Sequence, residues 1–294
     1  MATLRELKGR IGSVASSEKI TGAMKMISSA KMHKAEGELR RLKPYRDCIE
    51  TIIGNVLQSD AVFSSPLTEV RPVETVTIAI LGSDDGLCGA YNVNLAKFLA
   101  AHIAELRDKS TENLKFRIYP VGKKMRKIVN KLKSADIMVM EAAGVDSKSS
   151  GQVVKDFDEM LRTEFVSGET DAVEVIYMNY HSAGRQVATC DRLLPLSAEA
   201  FAASAGKATA RPYIFEPGAD AVFTTVLPMY LLSLTQEVFV ENRASEQAAR
   251  VMAMQSANDN AKKLQEQLSL EFNKLRQQSI TTELLDIVGG QVRD

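Results

Sequence analysis

The chain has 294 residues, 45% of them hydrophobic and 25% charged, which is the composition of an ordinary globular protein. Basic and acidic residues number 37 each, so the formal net charge is zero. No window approaches the ~18 consecutive apolar residues of a membrane-spanning helix. The first residues lack the apolar core of a signal peptide and include Glu6 and Glu18, which argues against a signal or transit peptide. Three scattered cysteines and three histidines without HExxH-type spacing argue against a disulfide framework, a zinc ribbon and a helical zinc site.

Charge is unevenly distributed along the chain. Residues 1–57 carry a net charge of +5, residues 58–217 carry −2 and residues 218–294 carry −3. The basic first segment could therefore pair with the acidic last segment or meet an acidic partner. Four acidic residues between positions 36 and 50 interrupt the positive run, which argues against nucleic-acid binding.

The first segment, residues 1–57, is predicted to form one long helix. Its apolar residues recur in steps of three and four, which is the narrow seam of a coiled coil. Residues 20–30 are small and apolar on more than one face, so we expect other protein to surround them. Pro44 lacks a backbone donor and should kink the helix. The predicted seam consists of Leu4, Leu7, Ile11, Val14, Met32, Ala35, Leu39, Leu42, Ile49, Ile53 and Val56.

The last segment, residues 218–294, mirrors the first. From about Ala219 to Val288 only Pro228 interrupts the helical pattern. Seventy helical residues would span roughly 105 Å, so the helix should project from any compact domain. Because the middle of the chain joins the far ends of the two helices, they should pair antiparallel, with Leu7 and Ile11 near the Leu268–Leu275 region. The predicted seam is Ala244, Ala248, Val251, Met254, Ala257, Ala261, Leu264, Leu268, Phe272 and Leu275.

The middle segment, residues 58–217, is predicted to be a Rossmann-like α/β domain. Thr75–Leu81 is a continuous apolar run, typical of a strand buried on both faces. Further strands alternate with helices, which implies a mostly parallel sheet, and a turn at residues 182–185 closes a final hairpin. The other predicted strands are residues 116–121, 136–141, 173–180 and 186–193, and the helices are residues 91–106, 123–133 and 152–165.

The segment from Gly82 to Gly89 is the most tempting ligand site, because nucleotide phosphates often bind between a strand and a helix. It matches neither GxGxxG nor GxxxxGK[ST], and the carboxylates of Asp84 and Asp85 would repel a phosphate. A tight turn that requires positive φ explains the glycines. Cys88 has no histidine nearby in sequence, which argues against a nucleophile.

The remaining polar clusters are also weak indications of chemistry. The basic residues between Lys123 and Lys133 lie at helical spacing and fit a solvated helix face. No paired carboxylates, catalytic triad or set of metal ligands emerges from the spacing. The residues therefore favour a mechanical or interaction protein without a cofactor or metal over an enzyme.

Four stretches resemble signatures of the ATP synthase gamma subunit family. Residues 20–27, ITGAMKMI, resemble KITxAMxMV, and residues 245–261 resemble SExxARMxAMxxAxxNA. Residues 273–290 are similar to the NxxRQxxITxEIxEIVxG end of the family, and residues 86–92, GLCGAYN, to its GLCGxYN loop. The matches follow the family's order from one end of the chain to the other.

The resemblance implies that the two helices form the central rotor shaft of a proton-translocating ATP synthase, inside a ring of alternating alpha and beta subunits. The turning shaft would couple proton flow through the membrane c-subunit ring to ATP synthesis at beta-subunit sites, and would itself bind no nucleotide. The chain would lie peripherally on the cytoplasmic face of the bacterial plasma membrane. Two alternatives stay open, a coiled-coil scaffold with an α/β head and a nucleotide-binding α/β enzyme.

The resemblance also assigns contacts to individual residues. Apolar contacts lack direction, so apolar surfaces can slide past one another at little cost. The rotating shaft should therefore end in one apolar tip. Polar residues would make the directional contacts that deliver torque. The loop of Gly86, Leu87, Cys88 and Gly89 would face the underside of the ring. The apolar tip would comprise Met24, Met26, Ile27, Leu284, Leu285, Ile287 and Val288. Contacts with the ring are expected at Met24, Lys25, Arg250, Arg276, Gln277, Thr281 and Glu283. Contacts of the α/β foot with the epsilon subunit and the c ring are expected at Lys43, Pro44, Tyr45, Tyr213, Phe215 and Glu216.

Overall fold

The chain forms two compact units in a computed structural model. The smaller unit joins residues 1–29 to residues 250–294, and the larger unit comprises residues 30–249. These units differ from the predicted three segments, because parts of both terminal helices pack with the middle of the chain. The structure describes residues 3–57, 65–109, 114–196 and 213–291.

Two long helices carry the ends of the chain. Helix α1 is Leu4–Leu57, with 54 residues, and helix α5 is Ala219–Gln291, with 73 residues. Both predicted helices are confirmed, and Pro44 and Pro228 both lie inside them. The most apolar 18-residue window of α5 has a mean hydropathy of 1.2, which by length and composition alone would suit a membrane span. However, 56% of that window is buried within the protein, as in the core helix of a folded domain.

The other elements belong to the larger unit and follow the predicted order. Short 3-10 turns occupy Pro66–Thr68 and Asn130–Leu132. The helices are α2 (Tyr91–Lys109), α3 (Lys123–Val129) and α4 (Gln152–Val166). The strands are β1 (Thr75–Leu81), β2 (Lys115–Val121), β3 (Ile137–Val139), β4 (Ala172–Ser182) and β5 (Arg185–Leu194).

The five strands form one sheet in the order β3-β2-β1-β4-β5. The first four strands are parallel, and β5 is antiparallel to β4 across the predicted hairpin. The parallel part, β3-β2-β1-β4, matches the first four positions of the 3-2-1-4-5-6 order of a doubly wound fold. The predicted Rossmann-like α/β sheet is confirmed. Strand β3 is shorter than predicted because only three of its residues, Ile137–Val139, pair with β2 at the edge of the sheet.

The two faces of the sheet bury separate cores. Alternate residues of β1 point to opposite faces, so Ile78 and Ile80 pack with α2 and α3, whereas Ala79 and Leu81 pack on the other face. That other face is covered by α4 together with residues 49–57 of α1 and residues 219–239 of α5. Each large side chain buried in this way stabilises the fold by about 1.5–3 kcal/mol.

Helices α1 and α5 also pair antiparallel within the larger unit. Ala35, Leu39, Val240 and Ala244 form a small apolar cluster of their own. Ion pairs flank the cluster, with the Arg243 guanidinium 2.8 Å from Glu38 and that of Arg46 2.5 Å from Glu237. The small alanine side chains let the two helices approach closely, which fixes this part of α5 against both α1 and the sheet.

Candidate functional site

In the smaller unit, α1 and α5 form an antiparallel pair. The Asn258 side-chain amide donates a hydrogen bond of 2.7 Å to the backbone carbonyl of Glu18. Leu7 and Leu268 are both buried, and their positions fit the register that this hydrogen bond sets. The predicted antiparallel pairing within one chain is therefore confirmed.

The seam between the two helices is more polar than predicted. On α1 the inward positions continue in steps of three and four through Glu18, Thr21, Lys25 and Ser28. On α5 the buried or half-buried positions include the predicted Val251, Met254, Ala257, Ala261 and Leu268, and with them the polar residues Asn258 and Gln265. The prediction that Leu264 lies in the seam is wrong, since its side chain is 45% exposed. Both positions fit a 3.5-residue period from Ala261, and the structure places Gln265 inward and Leu264 outward.

Apolar side chains face outward at the same level of the pair. Ile20, Met26, Ile27 and Met252 are all exposed, and Met26 reaches 69%. In the register set by Asn258, Met252 lies opposite Met24. We call the four exposed residues Ile20, Met26, Ile27 and Met252 the collar. At this level of α1, polar residues face the partner helix and apolar residues face outward, which reverses the usual pattern, and such exposed apolar surface marks an interaction site.

A second exposed apolar surface lies at the C-terminal end of α5. In the same register, the first described residue of α1 reaches only to about residue 273 of α5, so the last turns of α5 extend beyond it. We call residues 273–291 the tip. Its exposed apolar side chains are Ile280, Leu284, Leu285 and Ile287.

The predicted single apolar tip is wrong, because the structure separates its two halves. Met24, Met26 and Ile27 belong to the level of Met252, whereas Leu284 lies 32 positions further along α5. At 1.5 Å per residue the two groups are about 50 Å apart. Antiparallel pairing requires this separation, since residues 20–27 of α1 and the end of α5 lie in opposite directions from Asn258. The side chain of Val288 lies outside the described residues.

The residues predicted to contact a ring divide in the same way. Arg276, Gln277, Thr281 and Glu283 are all exposed on the tip. Met24 and Lys25 are half-buried beside the collar. Arg250 is only 6% exposed.

The loop after β1 is held from beneath by its own side chains. The Asn92 side chain accepts a hydrogen bond from the Ser83 amide at 3.0 Å and donates one to Ser83 Oγ at 2.8 Å. The same amide nitrogen lies 3.5 Å from Cys88 Sγ, which is buried. Leu87 projects above this network, 60% exposed, at a positive φ of 64°. Cys88 thus anchors the loop, and Leu87 is the apolar side chain that it presents.

Asp84 and Asn92 engage the groups that a phosphate would need at this loop. The Asp84 carboxylate accepts hydrogen bonds from the Lys123 amide at 2.9 Å and from the amide and hydroxyl of Ser147 at 3.0 and 2.8 Å. Burial raises the pKa of Asp84, but these hydrogen bonds outweigh it, so the pKa is lowered. The backbone N–H of Ser83 donates a hydrogen bond to the Asn92 side chain, and that of Asp84 donates one to the Ser147 hydroxyl. The loop therefore presents a fixed carboxylate where a nucleotide-binding loop presents free amides.

The predicted foot residues lie on two segments of the larger unit. Lys43 and Tyr45 are exposed on α1, as is Pro44 between them. Tyr213 and Glu216 are exposed just before α5, and the Tyr213 ring stacks on half-buried Phe215 with their centroids 6.3 Å apart. Both segments thus present polar and aromatic groups to solvent.

Comparison with known proteins identifies relatives over the whole length. The family described as ATP synthase matches residues 3–292. A protein of Bacteroides thetaiotaomicron named ATP synthase gamma chain is 38% identical over 100% of both chains. A protein of the same name from Desulfitobacterium hafniense is 36% identical, over 99% of this chain and 98% of its own.

Solved structures share the fold. A chain of the Euglena gracilis mitochondrial ATP synthase, described as OSCP/F1/c-ring in rotational state 3, matches with a TM-score of 0.66. The match covers 98% of this chain and 93% of that chain at 21% identity. A chain from the central stalk and c ring of the Tetrahymena thermophila enzyme gives a TM-score of 0.58, over 81% of this chain and 99% of its own.

Proposed function

The chain belongs to the ATP synthase gamma-chain family, whose members are rotors of the central stalk, and we propose that its collar and tip turn inside the ring of alpha and beta subunits. The collar carries this proposal. Ile20, Met26 and Ile27 are exposed while the inward residues of α1 beside them are polar, so the apolar surface is directed at a partner and not at the other helix. An enclosing ring would remove this surface from water, and non-directional apolar contacts would let it slide.

The tip adds directional contacts to the sliding ones. Arg276, Gln277, Thr281 and Glu283 lie among exposed apolar residues, and each can hydrogen-bond or pair with loops of the beta subunits. Contacts that differ between the three beta sites at any instant would shift the open–closed equilibrium of each site differently. Met24 and Lys25 would act at the level of the collar. Arg250 was predicted to contact the ring at the same level, but its side chain is buried within the protein. The exposed residues therefore support the proposal more strongly than Arg250 does.

The larger unit would connect the shaft to the rest of the rotor. Lys43, Pro44 and Tyr45, with Tyr213, Phe215 and Glu216, would contact the epsilon subunit and the membrane c ring. The Gly86–Gly89 loop would face the underside of the catalytic ring through Leu87. Proton flow through the c ring would drive rotation for ATP synthesis, and ATP hydrolysis would reverse it. The complex would lie on the cytoplasmic face of the bacterial plasma membrane.

We further propose that the chain has no catalytic site and binds no nucleotide of its own. The loop after β1 supports this, because Asn92 and Ser147 already engage the amides of Ser83 and Asp84, and Asp84 places a carboxylate there. The nucleotides would bind at the beta subunits. Isothermal titration of the isolated chain with ATP and ADP should then show no binding in the micromolar range.

Met26→Lys tests the collar directly. In the assembled enzyme, the new ammonium would form charge-assisted hydrogen bonds with the ring worth about 1–3 kcal/mol each, and these must break as the shaft turns. We expect ATP hydrolysis to persist while proton pumping per ATP falls, measured together in membrane vesicles. Met26 is a better test than Met24 because its side chain is more exposed.

Met138→Lys is the matched control. Met138 is 52% exposed on the edge strand β3 of the larger unit, so the same change there should leave pumping per ATP unaltered. Equal pumping in the two variants would mean that the collar does not touch the ring. Failure of the tagged chain to recover alpha or beta subunits from membranes would reject the shaft assignment as a whole.

A further inference from the structure

Three potential metal ligands converge on the face of the sheet that α2 covers. His102 lies on α2, Glu174 on β4 and Cys190 on β5. His102 Nε2 is 2.7 Å from Glu174 Oε2, and Cys190 Sγ is 3.4 Å from His102 Nε2 and 3.7 Å from Glu174 Oε2. Among the described residues, no other trio of histidine, cysteine and acidic side chains draws its ligand atoms together within 4.8 Å.

These separations suit a tetrahedral zinc-type ion. Zinc lies ~2.0–2.1 Å from nitrogen, ~2.0–2.2 Å from carboxylate oxygen and ~2.3 Å from sulfur, so its ligands are about 3.3–3.6 Å apart. The two distances from sulfur, 3.4 and 3.7 Å, lie within this range or 0.1 Å beyond it. Only the nitrogen–oxygen distance must open, by about 0.6 Å, as an ion replaces the hydrogen bond between His102 and Glu174.

The surroundings hold the ligands in place. The Arg192 guanidinium donates to Glu174 Oε1 at 3.0 Å, which leaves Oε2 directed at His102 and Cys190. The His102 ring stacks against Phe98, with an angle of 7° between their planes. Glu174 is almost fully buried, whereas Arg192 is half exposed, so an ion could enter from the Arg192 side. Contacts of this kind around the ligand side chains fix the direction in which their donor atoms point.

We propose that His102, Glu174 and Cys190 bind one divalent ion of the zinc class, with water as the fourth ligand. Cys190 binds as the thiolate and releases its proton to solvent, and no electron is transferred. The carboxylate and thiolate neutralise the two positive charges of the ion, so the buried site carries no net charge from this set. The donor set of nitrogen, oxygen and sulfur selects zinc or cobalt over magnesium or calcium, which prefer oxygen ligands alone.

A cobalt titration of the purified full-length chain tests the site. One equivalent of Co²⁺ should produce the visible bands of a four-coordinate ion and a near-ultraviolet band from thiolate to cobalt. Zn²⁺ should abolish both by displacement. Cys190→Ser should lose the near-ultraviolet band and weaken zinc binding at least tenfold, measured by competition with a chromogenic chelator. Cys48→Ser, at an exposed cysteine on α1, should match the unaltered chain.

His102→Asn provides a second test, because it removes a ligand but keeps the thiol. It should weaken zinc binding at least tenfold while any cobalt complex retains its thiolate band, with circular dichroism showing that each variant is folded. The proposal is overturned if Co²⁺ produces no thiolate band, if the band survives Cys190→Ser, or if both ligand variants bind zinc like the unaltered chain.

Discussion

Leu87 combines backbone strain with exposure. It is the one non-glycine residue with positive φ among the described residues, at 64°, and its side chain is 60% exposed. A left-handed conformation costs a residue with a Cβ atom about 1–2 kcal/mol, and glycine avoids this cost. The buried Cys88 and the Asn92 side chain hold the loop in this shape. The side-chain network keeps Leu87 in this strained conformation, and the strained residue exposes an apolar side chain. Both features fit a contact between Leu87 and a partner.

Leu87→Gly and Leu87→Ala should separate strain from contact. Both remove the exposed side chain, so both should lower proton pumping per ATP in the assembled enzyme. The glycine variant relieves the strain, and its free energy of unfolding in urea should exceed that of the alanine variant by about 1 kcal/mol. Unchanged pumping in both variants would show that Leu87 touches no partner.

At the scale of elements, glycines occupy two different environments. Gly9 lies within α1 with no atom within 4 Å of the position that a Cβ would take, whereas Gly82 directly follows β1 and begins the loop. A Cβ on Gly82 would lie 2.5 Å from Met125 Cβ and 2.9 Å from Asn92 Oδ1. The first glycine only weakens its helix, while the second makes room for α3 and the Asn92 network.

Gly9→Ala and Gly82→Ala should therefore change stability in opposite directions. The first should raise the free energy of unfolding by about 0.5–1 kcal/mol through helix propensity. The second should lower it by about 1–3 kcal/mol, because Met125 and Asn92 must move. Urea denaturation of the isolated chain gives both values. A stable Gly82→Ala variant would contradict the close approach of α3 to the end of β1.

At the scale of the whole molecule, one buried carboxyl group, that of Glu241, makes the stability of the fold depend on pH. Glu241 on α5 is buried, and its Oε2 has no hydrogen-bond partner among the described residues. Burial raises the pKa of Glu241 to about 7. The charges of Glu237 and Asp191 add to this rise, and those of Lys43 and Arg46 oppose it.

Because this pKa is raised in the folded state, the folded chain binds more protons than the unfolded chain between the ordinary value of 4.5 and about 7. The contribution of Glu241 to stability is therefore greatest below this window and falls as the pH rises through it. Glu241→Gln should be more stable than the unaltered chain at pH ~8 by about 1–3 kcal/mol, and this gain should vanish by pH ~4.5.

Denaturant unfolding at a series of pH values measures this difference. Glu266→Gln is the control, because Glu266 is an exposed glutamate on the same helix, and its substitution should leave the pH profile of stability unaltered. A pH-independent difference between Glu241→Gln and the unaltered chain would show that the carboxyl group does not titrate in this window.

The amino-acid sequence by itself determined the elements of this protein and much of their order. Apolar residues in steps of three and four marked both long helices, and the apolar run Thr75–Leu81 matches strand β1 residue for residue. These patterns are local, because helix and strand periods depend on neighbours a few residues apart. The motifs at both ends and in the Gly86–Gly89 loop pointed to the family for the same reason, since each lies within one short stretch.

Only the tertiary structure decided what each surface faces. A helical period shows which residues share a face, but the pairing register decided that Leu264 turns outward and that the collar and tip lie far apart. Ser147 meets Asp84 across 63 positions, and His102, Glu174 and Cys190 meet from three elements. Such contacts join residues far apart in sequence, and no local pattern encodes them, because they form only when the sheet and its covering helices pack.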